Sequence, residues 1–400
     1  MLIGHRCKRV QPRCWIPTTF KGVFLVWPRE EFIRNNQRRD ILFVFGAGAS
    51  HAEGAPLQSQ ILPFILDEEG EIAQSSTGGK VIGFLKDHFG WDREQRIYPT
   101  LEVIFAFLDY FIYRNESLGG QYTNGYIREI RESLVKLIHY SVSKVSSPRK
   151  GVYSNFWRWV KTFDRNISVL TTNYDTFIDE GFDSLYPAYG FLDYSIHLMN
   201  HEYYRDIEPY DLLINPGEIE PRFGPSHTSP KAVRLVKIHG SLNWKYCNCC
   251  NQVLLTPWST EVDLESERLE PACDDGKGRH PCTCPLDGTP FQTLIVPPAN
   301  IKLLDHPTIN TLVNNASREI RMARRIVFIG YSFPDADIYL KAVFKKNLRD
   351  DVKITVVNCD RGLKVQKAYE PLARHVEFIW GPFEDVVRDG DTMERIFNVG

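Results

Sequence analysis

Two residues stand where polar chemistry is often done, each just past a short apolar run. They are Asn173 in Thr171-Thr-Asn-Tyr-Asp175 and His239 in Lys237-Ile-His-Gly-Ser-Leu-Asn-Trp244. An imidazole titrates near neutrality and is a natural general base. A carboxamide donates and accepts hydrogen bonds without adding charge, which suits ribose hydroxyls or an attacking water. Asp175 can support Asn173 or cap the segment that follows. Taken singly, the asparagine is equally a turn or cap residue, and the histidine equally a hydrogen-bonded core residue. A third feature gives them company. Ile41–Phe45 is an apolar run of strand length that ends in Gly46-Ala47-Gly48-Ala49-Ser50. A strand that turns on glycines into a helix N-terminus makes an anion site, because free N–H groups and the helix dipole face the ligand. The first glycine permits the turn and the second lets a pyrophosphate approach. The same pattern also arises where a helix merely packs close on a sheet.

These residues need a scaffold that brings strand ends together. Apolar runs recur at 167–170, 233–238, 294–296, 325–329, 352–357 and 376–379. Several run into polar or glycine motifs: Asn173, His239, Gly330-Tyr-Ser332 and Asn358. Residues 57 to about 163 carry apolar side chains at helical spacing instead, as in 100–109 and 126–140. The expected fold is α/β: a Rossmann-like, doubly wound, mostly parallel sheet with a helical insertion. Ligands of such sheets bind beyond the carboxyl ends of the strands, so the motifs should converge on one crevice. The chain departs from an ordinary dehydrogenase. The third glycine of Gly-x-Gly-x-x-Gly is missing, and no strand leads into Asp67, Glu68 and Glu69.

The cysteines suggest a metal. Cys247-x-x-Cys250 has knuckle spacing, and His280-Pro-Cys282-Thr-Cys284 offers a second pair about thirty residues on, with Cys249 and Cys273 in reserve. Four thiolates would make a closed structural zinc site, expected on Cys247, Cys250, Cys282 and Cys284, in a ribbon module spanning about 245–292. The alternative is reduced cysteines in a loop. A net charge of −2 gives no general pull toward nucleic acid or membrane, and no apolar run reaches 18 residues. The N-terminus is not a good signal peptide, so a cytoplasmic protein is expected. Residues 1–39 form a basic extension and 40–400 the nucleotide-binding domain.

With these motifs in hand, the chain resembles the sirtuin (SIR2-like) family. Gly46-Ala-Gly-Ala-Ser50 looks like the sirtuin phosphate loop. Thr172-Asn173-Tyr-Asp175 resembles its Thr-Gln-Asn-x-Asp with Thr172 in place of Gln, and His239-Gly240 resembles its His-Gly. Gly330-Tyr-Ser332 resembles its Gly-Thr-Ser, and Asn358 the asparagine that holds the adenosine ribose. The resemblance implies NAD contacts from Gly46, Ala47, Gly48, Ser50, Thr172, Gly330, Ser332 and Asn358, with Asn173, His239 and Asp175 at the reacting end. Two departures concern the deacylases of this family. Gly54-Ala-Pro-Leu-Gln-Ser59 lacks their Phe-Arg, and Ile295-Val-Pro-Pro-Ala-Asn-Ile-Lys302 puts prolines where a peptide strand would need backbone donors. Gly-Ala-Gly-Ala-Ser, Thr-Thr-Asn-Tyr-Asp, His-Gly-Ser-Leu-Asn-Trp and a Gly-Tyr-Ser-x-x-Asp segment ending at Asp335 are similar to bacterial SIR2-like proteins of antiviral defence. That likeness implies NAD+ hydrolysis to nicotinamide and ADP-ribose, homo-oligomers, and a partner ATPase of the HerA type or another sensor. A NAD-dependent deacylase or ADP-ribosyltransferase, and a non-catalytic NAD- or ADP-ribose-sensing subunit, are the alternatives.

Overall fold

Every residue from Ile41 to Phe45 is fully buried, so the first apolar run lies inside a sheet covered on both faces. The computed structural model describes residues 38–398 except 68–69, 93, 95–96, 146–148, 184, 186–188, 197, 199–230, 257–261, 263, 266–282, 285–286, 297–305, 335–336 and 374. Arg38–Gly400 forms one compact unit. The basic extension expected at 1–39 therefore lies, but for its last two residues, outside the described residues.

The described strands are β1 (Arg39–Phe45), β2 (Ile167–Thr171), β3 (Gly190–Asp193), β4 (Lys231–Lys237), β5 (Gly240–Tyr246), β6 (Val253–Leu255), β7 (Gln292–Ile295), β8 (Ala323–Ile329), β9 (Lys353–Asn358) and β10 (Val376–Trp380). Seven of them make one sheet in the order β10-β9-β8-β1-β2-β4-β3, with every pair parallel. Chain direction across the sheet reverses at β1, whose neighbours are β2 and β8. That reversal is where open α/β sheets hold their ligands. The register sharpens the point. Phe45 pairs with Thr171 and Ile329, Thr171 with Lys237, and Ile329 with Val357. β1, β2, β4 and β8 thus end on a common rung that β9 passes by one residue, and Gly46, Thr172, Ile238, Gly330 and Asn358 are the next residues out.

The helices are α1 (Ala47–Glu53), α2 (Gln58–Asp67), α3 (Glu71–Gln74), α4 (Ser76–Phe89), α5 (Leu101–Arg114), α6 (Asn124–Val145), α7 (Val152–Phe163), α8 (Phe177–Asp183), α9 (Pro307–Met322), α10 (Ile338–Asn347), α11 (Leu363–Tyr369), α12 (Phe383–Val386) and α13 (Gly390–Phe397). As the periodicity predicts, α2 to α7 fill the stretch 57–163. Helix α7 lays Tyr153 and Phe156 edge-on against Phe43 and Phe45 of β1, at centroid distances of 4.9–5.5 Å. Aromatic pairs of this kind add to ordinary area burial and fix the helix over the strand. Among the described residues, no helix is long and apolar enough to cross a membrane.

One expected strand joins a different sheet. The run 294–296 belongs to β7, which pairs antiparallel with β5 in a separate three-stranded sheet, β6-β5-β7. The reason is local. Gly240 adopts φ +75°, a left-handed conformation that turns the chain out of β4, and a Cβ there would sit 2.0 Å from the Leu294 carbonyl oxygen. The chain leaves the main sheet at His239 and crosses tightly over β7.

Candidate active site at the strand ends

Three turns interlock at the switch point. The Gly46 N–H donates to the Ile329 carbonyl (3.0 Å), and the Gly48 N–H donates to the Gly330 carbonyl (2.9 Å). A Cβ on Gly46 or Gly48 would meet backbone of Gly330 at 2.7 or 2.9 Å, and one on Gly330 (φ +61°) would meet the Ala49 nitrogen at 2.2 Å. Sequence reasoning explains Gly48 by the approach of a pyrophosphate. The structure supplies a second cause, the crossing of two backbones, and engages the Gly48 N–H within it. Ala47 is exposed at this corner, whereas Ser50 is buried.

Asn173 stands two residues past the end of β2. Its Nδ2 donates both hydrogens inside the protein, to the Gly46 carbonyl (2.9 Å) and to Ser50 Oγ (2.8 Å). A carbonyl oxygen can only accept, which fixes the amide orientation and leaves Oδ1 to meet a ligand. The side chain therefore presents an acceptor, aimed by the same turn that carries the glycines. Ser50 Oγ lies 3.1 Å from the hydroxyl of Tyr153 on α7. Burial raises the Tyr153 pKa well above its usual value, so the phenol stays neutral. Tyr153 is placed in turn by Glu53, whose carboxylate accepts from the N–H groups of Gly151 and Val152 (2.6 Å each) and of Tyr153 (3.3 Å). An acid capping a helix N-terminus satisfies orphan donors and suits the dipole.

His239 lies in the turn between β4 and β5. Its Nδ1 is 3.2 Å from the Thr172 carbonyl and its Nε2 is 2.7 Å from the Tyr339 hydroxyl. Since the carbonyl only accepts, Nδ1 carries the hydrogen and neutral His239 offers its lone pair at Nε2. Burial raises the Tyr339 pKa well above its usual value, so Tyr339 is the donor of that pair. Asp337 Oδ1 stands 3.5 Å from Nε2. Asn173 and His239 are thus joined through consecutive residues, Thr172 and Asn173, as the register requires.

Asp175 plays a more local part than its place beside Asn173 suggests. Its Oδ1 accepts from the Phe177 N–H (3.1 Å) at the start of α8, the capping alternative. Burial raises its pKa, opposed by Lys237. Lys237 is fully buried, with Nζ 2.6 Å from the Asp175 carbonyl and 2.9 Å from Asp179 Oδ2. The Asn173 loop is therefore pinned from below by a cation on the neighbouring strand. Asn358 ends β9 with both side-chain termini engaged: Oδ1 accepts from the Asp360 N–H (2.9 Å) and Nδ2 donates to the Tyr331 carbonyl (3.3 Å). Ser332 is exposed just beyond. Sequence reasoning missed Glu53, Tyr153, Asp337 and Tyr339. Only Asp337 left a trace, since the motif ends at Asp335, which lies outside the described residues.

The small sheet carries the cysteines. Cys247, Cys250, Cys284 and Asp287 bring one ligand atom each within 4.8 Å of one another. Cys250 Sγ and Cys284 Sγ are 3.7 Å apart, close to the edge of about 3.8 Å that a tetrahedron of 2.3 Å Zn–S bonds requires. Cys247 Sγ lies 3.3 Å from Asp287 Oδ2. The donor set fits zinc, and the second knuckle reads Cys284-x-x-Asp287 with the ideal spacing. Cys282, expected as a ligand, lies outside the described residues, as does Cys273; Cys249 is exposed and stands outside the cluster.

A model of the SIR2-like domain matches residues 167–370, just over half of the chain and including Asn173, His239, Gly330 and Asn358. A search of curated proteins finds no match. Among solved structures, a Sir2 homologue in complex with NAD aligns with a TM-score of 0.43 at 14% identity, over 92% of this chain and 93% of that one. Sir2Tm bound to a propionylated peptide aligns with a TM-score of 0.39 at 13% identity, over 93% and 100%. At these scores the structural likenesses decide nothing about chemistry.

Proposed function

The chain belongs to the SIR2-like domain family, and from that premise we propose that it is an NAD+ glycohydrolase that releases nicotinamide and ADP-ribose. One observation carries the reading: Asn173 and His239 stand just past two adjacent strand ends beside the glycine turn, with the Asn173 amide held through its Nδ2 and the His239 ring through its Nδ1. Gly46, Ala47, Gly48 and Ser50 would meet the pyrophosphate, and Gly330, Ser332 and Asn358 the adenosine half, with Thr172 joining the two halves. The bond between nicotinamide and ribose C1′ breaks with its electron pair leaving on the pyridinium nitrogen. That nitrogen becomes neutral, so no strong acid is needed. The cation-like C1′ is favoured by the carbonyl dipole of Asn173, which also orients the incoming water. The water oxygen bonds to C1′ and its proton passes to His239 Nε2. Asp175 acts on Asn173 through the loop it caps.

Water is favoured over an acyl-lysine peptide by a second observation. The Tyr174 hydroxyl donates to the Val296 carbonyl (2.8 Å), so a backbone acceptor at the end of β7 is already engaged where Pro297 and Pro298 follow. Zinc on Cys247, Cys250, Cys284 and Asp287 would be structural, holding the sheet that begins at Gly240. By its likeness to bacterial SIR2-like defence proteins, the biological role we infer is NAD depletion during antiviral defence. The enzyme would act in the cytoplasm as a homo-oligomer, under a partner ATPase of the HerA type or another sensor.

The test is nicotinamide release from NAD+, followed by chromatography, with and without an acylated peptide. Wild type should release nicotinamide and ADP-ribose without peptide. Asn173→Ala and His239→Ala should lose about 10²–10⁴-fold in kcat, the usual contribution of a positioned polar catalyst. Turnover that requires the peptide would replace hydrolysis with deacylation. Tight NAD binding with no turnover, in the oligomer or with a partner ATPase, would replace it with sensing.

A further inference from the structure

Asp337 immediately precedes α10, in the cap position where an aspartate side chain usually accepts from the first N–H groups of a helix. Here it makes no cap hydrogen bond. Its carboxylate is turned the other way, and the side chain is only 7% exposed. Oδ2 accepts from the Tyr331 hydroxyl (2.9 Å), and Oδ1 faces His239 Nε2 at 3.5 Å. Giving up a cap costs stability, and burying a carboxylate costs more, so the orientation needs compensating partners. Tyr331 supplies part of it. The Tyr331 ring packs on the glycine turn, where a Cβ on Gly46 would strike it at 2.7 Å. Its carbonyl is held by the Tyr369 hydroxyl (2.5 Å) and Asn358 Nδ2. The oxygen facing His239 is therefore fixed by the framework of the nucleotide corner.

We propose that Asp337 is a positioning residue for His239, stabilising the imidazolium that forms when Nε2 takes a proton. This rests on the reading of His239 as the base in NAD+ hydrolysis. Nε2 of the neutral ring carries a lone pair and cannot donate to the carboxylate, yet at 3.5 Å the carboxylate is close enough to stabilise a charge on the ring in a buried setting. Its effect therefore falls on the protonated state, which distinguishes it from the Tyr339 hydroxyl, a donor to the neutral ring. Proton transfer from water to Nε2 leaves one positive charge on the ring beside one negative charge on Asp337, and net charge in the pocket is conserved.

The experiment compares wild type, Asp337→Asn and Tyr331→Phe. Asn at 337 keeps the shape and the acceptor for Tyr331 but removes the charge. Expected is a fall in kcat of about tenfold or more, part of what a positioned base contributes, with KM for NAD+ within about twofold. Tyr331→Phe, which only loosens Oδ2, should move kcat in the same direction by less. Independently of turnover, the His239 ring ¹⁵N shifts in histidine-labelled protein near neutral pH should move between wild type and Asp337→Asn. This readout stands even if the wild type hydrolyses no NAD+, a result that would fail the functional reading alone. Unchanged ring shifts overturn the proposal, whether or not kcat falls. So does a full kcat in Asp337→Asn from a wild type that turns over NAD+.

Discussion

At the amino end of β1 the Glu319 carboxylate, fully buried on α9, lies between Arg39 (2.7 Å) and Arg234 (2.9 Å), and Arg234 reaches on to Asp193 (3.0 Å). At the carboxyl end of the same sheet, Asn173 and His239 are hydrogen-bonded by neutral groups, carbonyls, a serine and a tyrosine, with the Asp337 carboxylate 3.5 Å from the His239 ring. The first arrangement is closed. Each charge is answered by another, and burial, which alone would raise the Glu319 pKa, is outweighed by Arg39 and Arg234, which lower it. The second arrangement leaves an acceptor, Asn173 Oδ1, and an imidazole whose partner is a replaceable hydroxyl. One end of the sheet is finished without a ligand, and the other, on the proposed function, is the end that NAD+ would complete.

Glu319→Ala should break the closed end most severely. It takes the shared carboxylate from Arg39 and Arg234 and should lower unfolding free energy by about 3–5 kcal/mol in urea titration. The remaining folded protein should keep the kcat of the wild type. Asn173→Ala should invert that result, abolishing turnover while costing at most about 1–3 kcal/mol for the acceptors it leaves unpaired. If both variants lose stability and activity together, the two ends are not separable.

That separation was partly legible in the sequence. Gly46, Asn173, His239, Gly330 and Asn358 each follow an apolar run, and parallel strands of matched length must deliver such residues to one edge. Their partners were not legible. Glu319 meets Arg39 across 280 positions, and nothing in either residue's neighbourhood encodes that distance. The run 294–296 has the composition of a main-sheet strand, yet the tight turn at Gly240 places it in the small sheet. Strand β3, Gly190–Asp193, is too short to show alternation. Asp287 is not legible as a ligand because acidic residues are common in surface turns, although Cys284-x-x-Asp287 has better knuckle spacing than Cys282-x-Cys284.

The cluster of Cys247, Cys250, Cys284 and Asp287 sits between these two extremes, a closed group of side chains attached to an open site. The Val296 N–H donates to the His239 carbonyl (2.8 Å), so the small sheet steadies the backbone of His239. Purified protein should contain one zinc per chain by elemental analysis. Asp287→Ala should weaken retention against a chelator by at least about 10- to 100-fold, the loss seen when a residue that merely orients a metal ligand is removed. Metal loss should lower Tm before it lowers kcat. A metal content of zero with undiminished Tm would remove zinc from the account.

The smallest effect is expected at Asp183, the last residue of α8. Burial, with Asp179 and Glu180 nearby, raises its pKa from 3.8 to about 6. Its folded form holds a proton more tightly than its unfolded form, so this residue costs stability as pH rises from about 4 through 6. Asp183→Asn should therefore stabilise the protein at pH 7 and have no effect at pH 3. The residue also reaches solvent, so screening should keep the gain below about 1 kcal/mol in paired denaturation curves. A gain at pH 3 equal to that at pH 7 would show that charge is not its cause.

Glu53 has a consequence for how such a chain can change over time. Its carboxylate, at the end of the first helix, grips the N–H groups of residues 98 to 100 positions further on. The whole excursion through α2 to α6 leaves and returns at a single side chain. Loop-closure entropy grows only with the logarithm of length, so once the two ends are clasped, what lies between can lengthen, shorten or be exchanged at little cost. The strand ends would not register the change. A lineage could rebuild that helical segment to meet new neighbours while the chemistry beneath it stayed as it was.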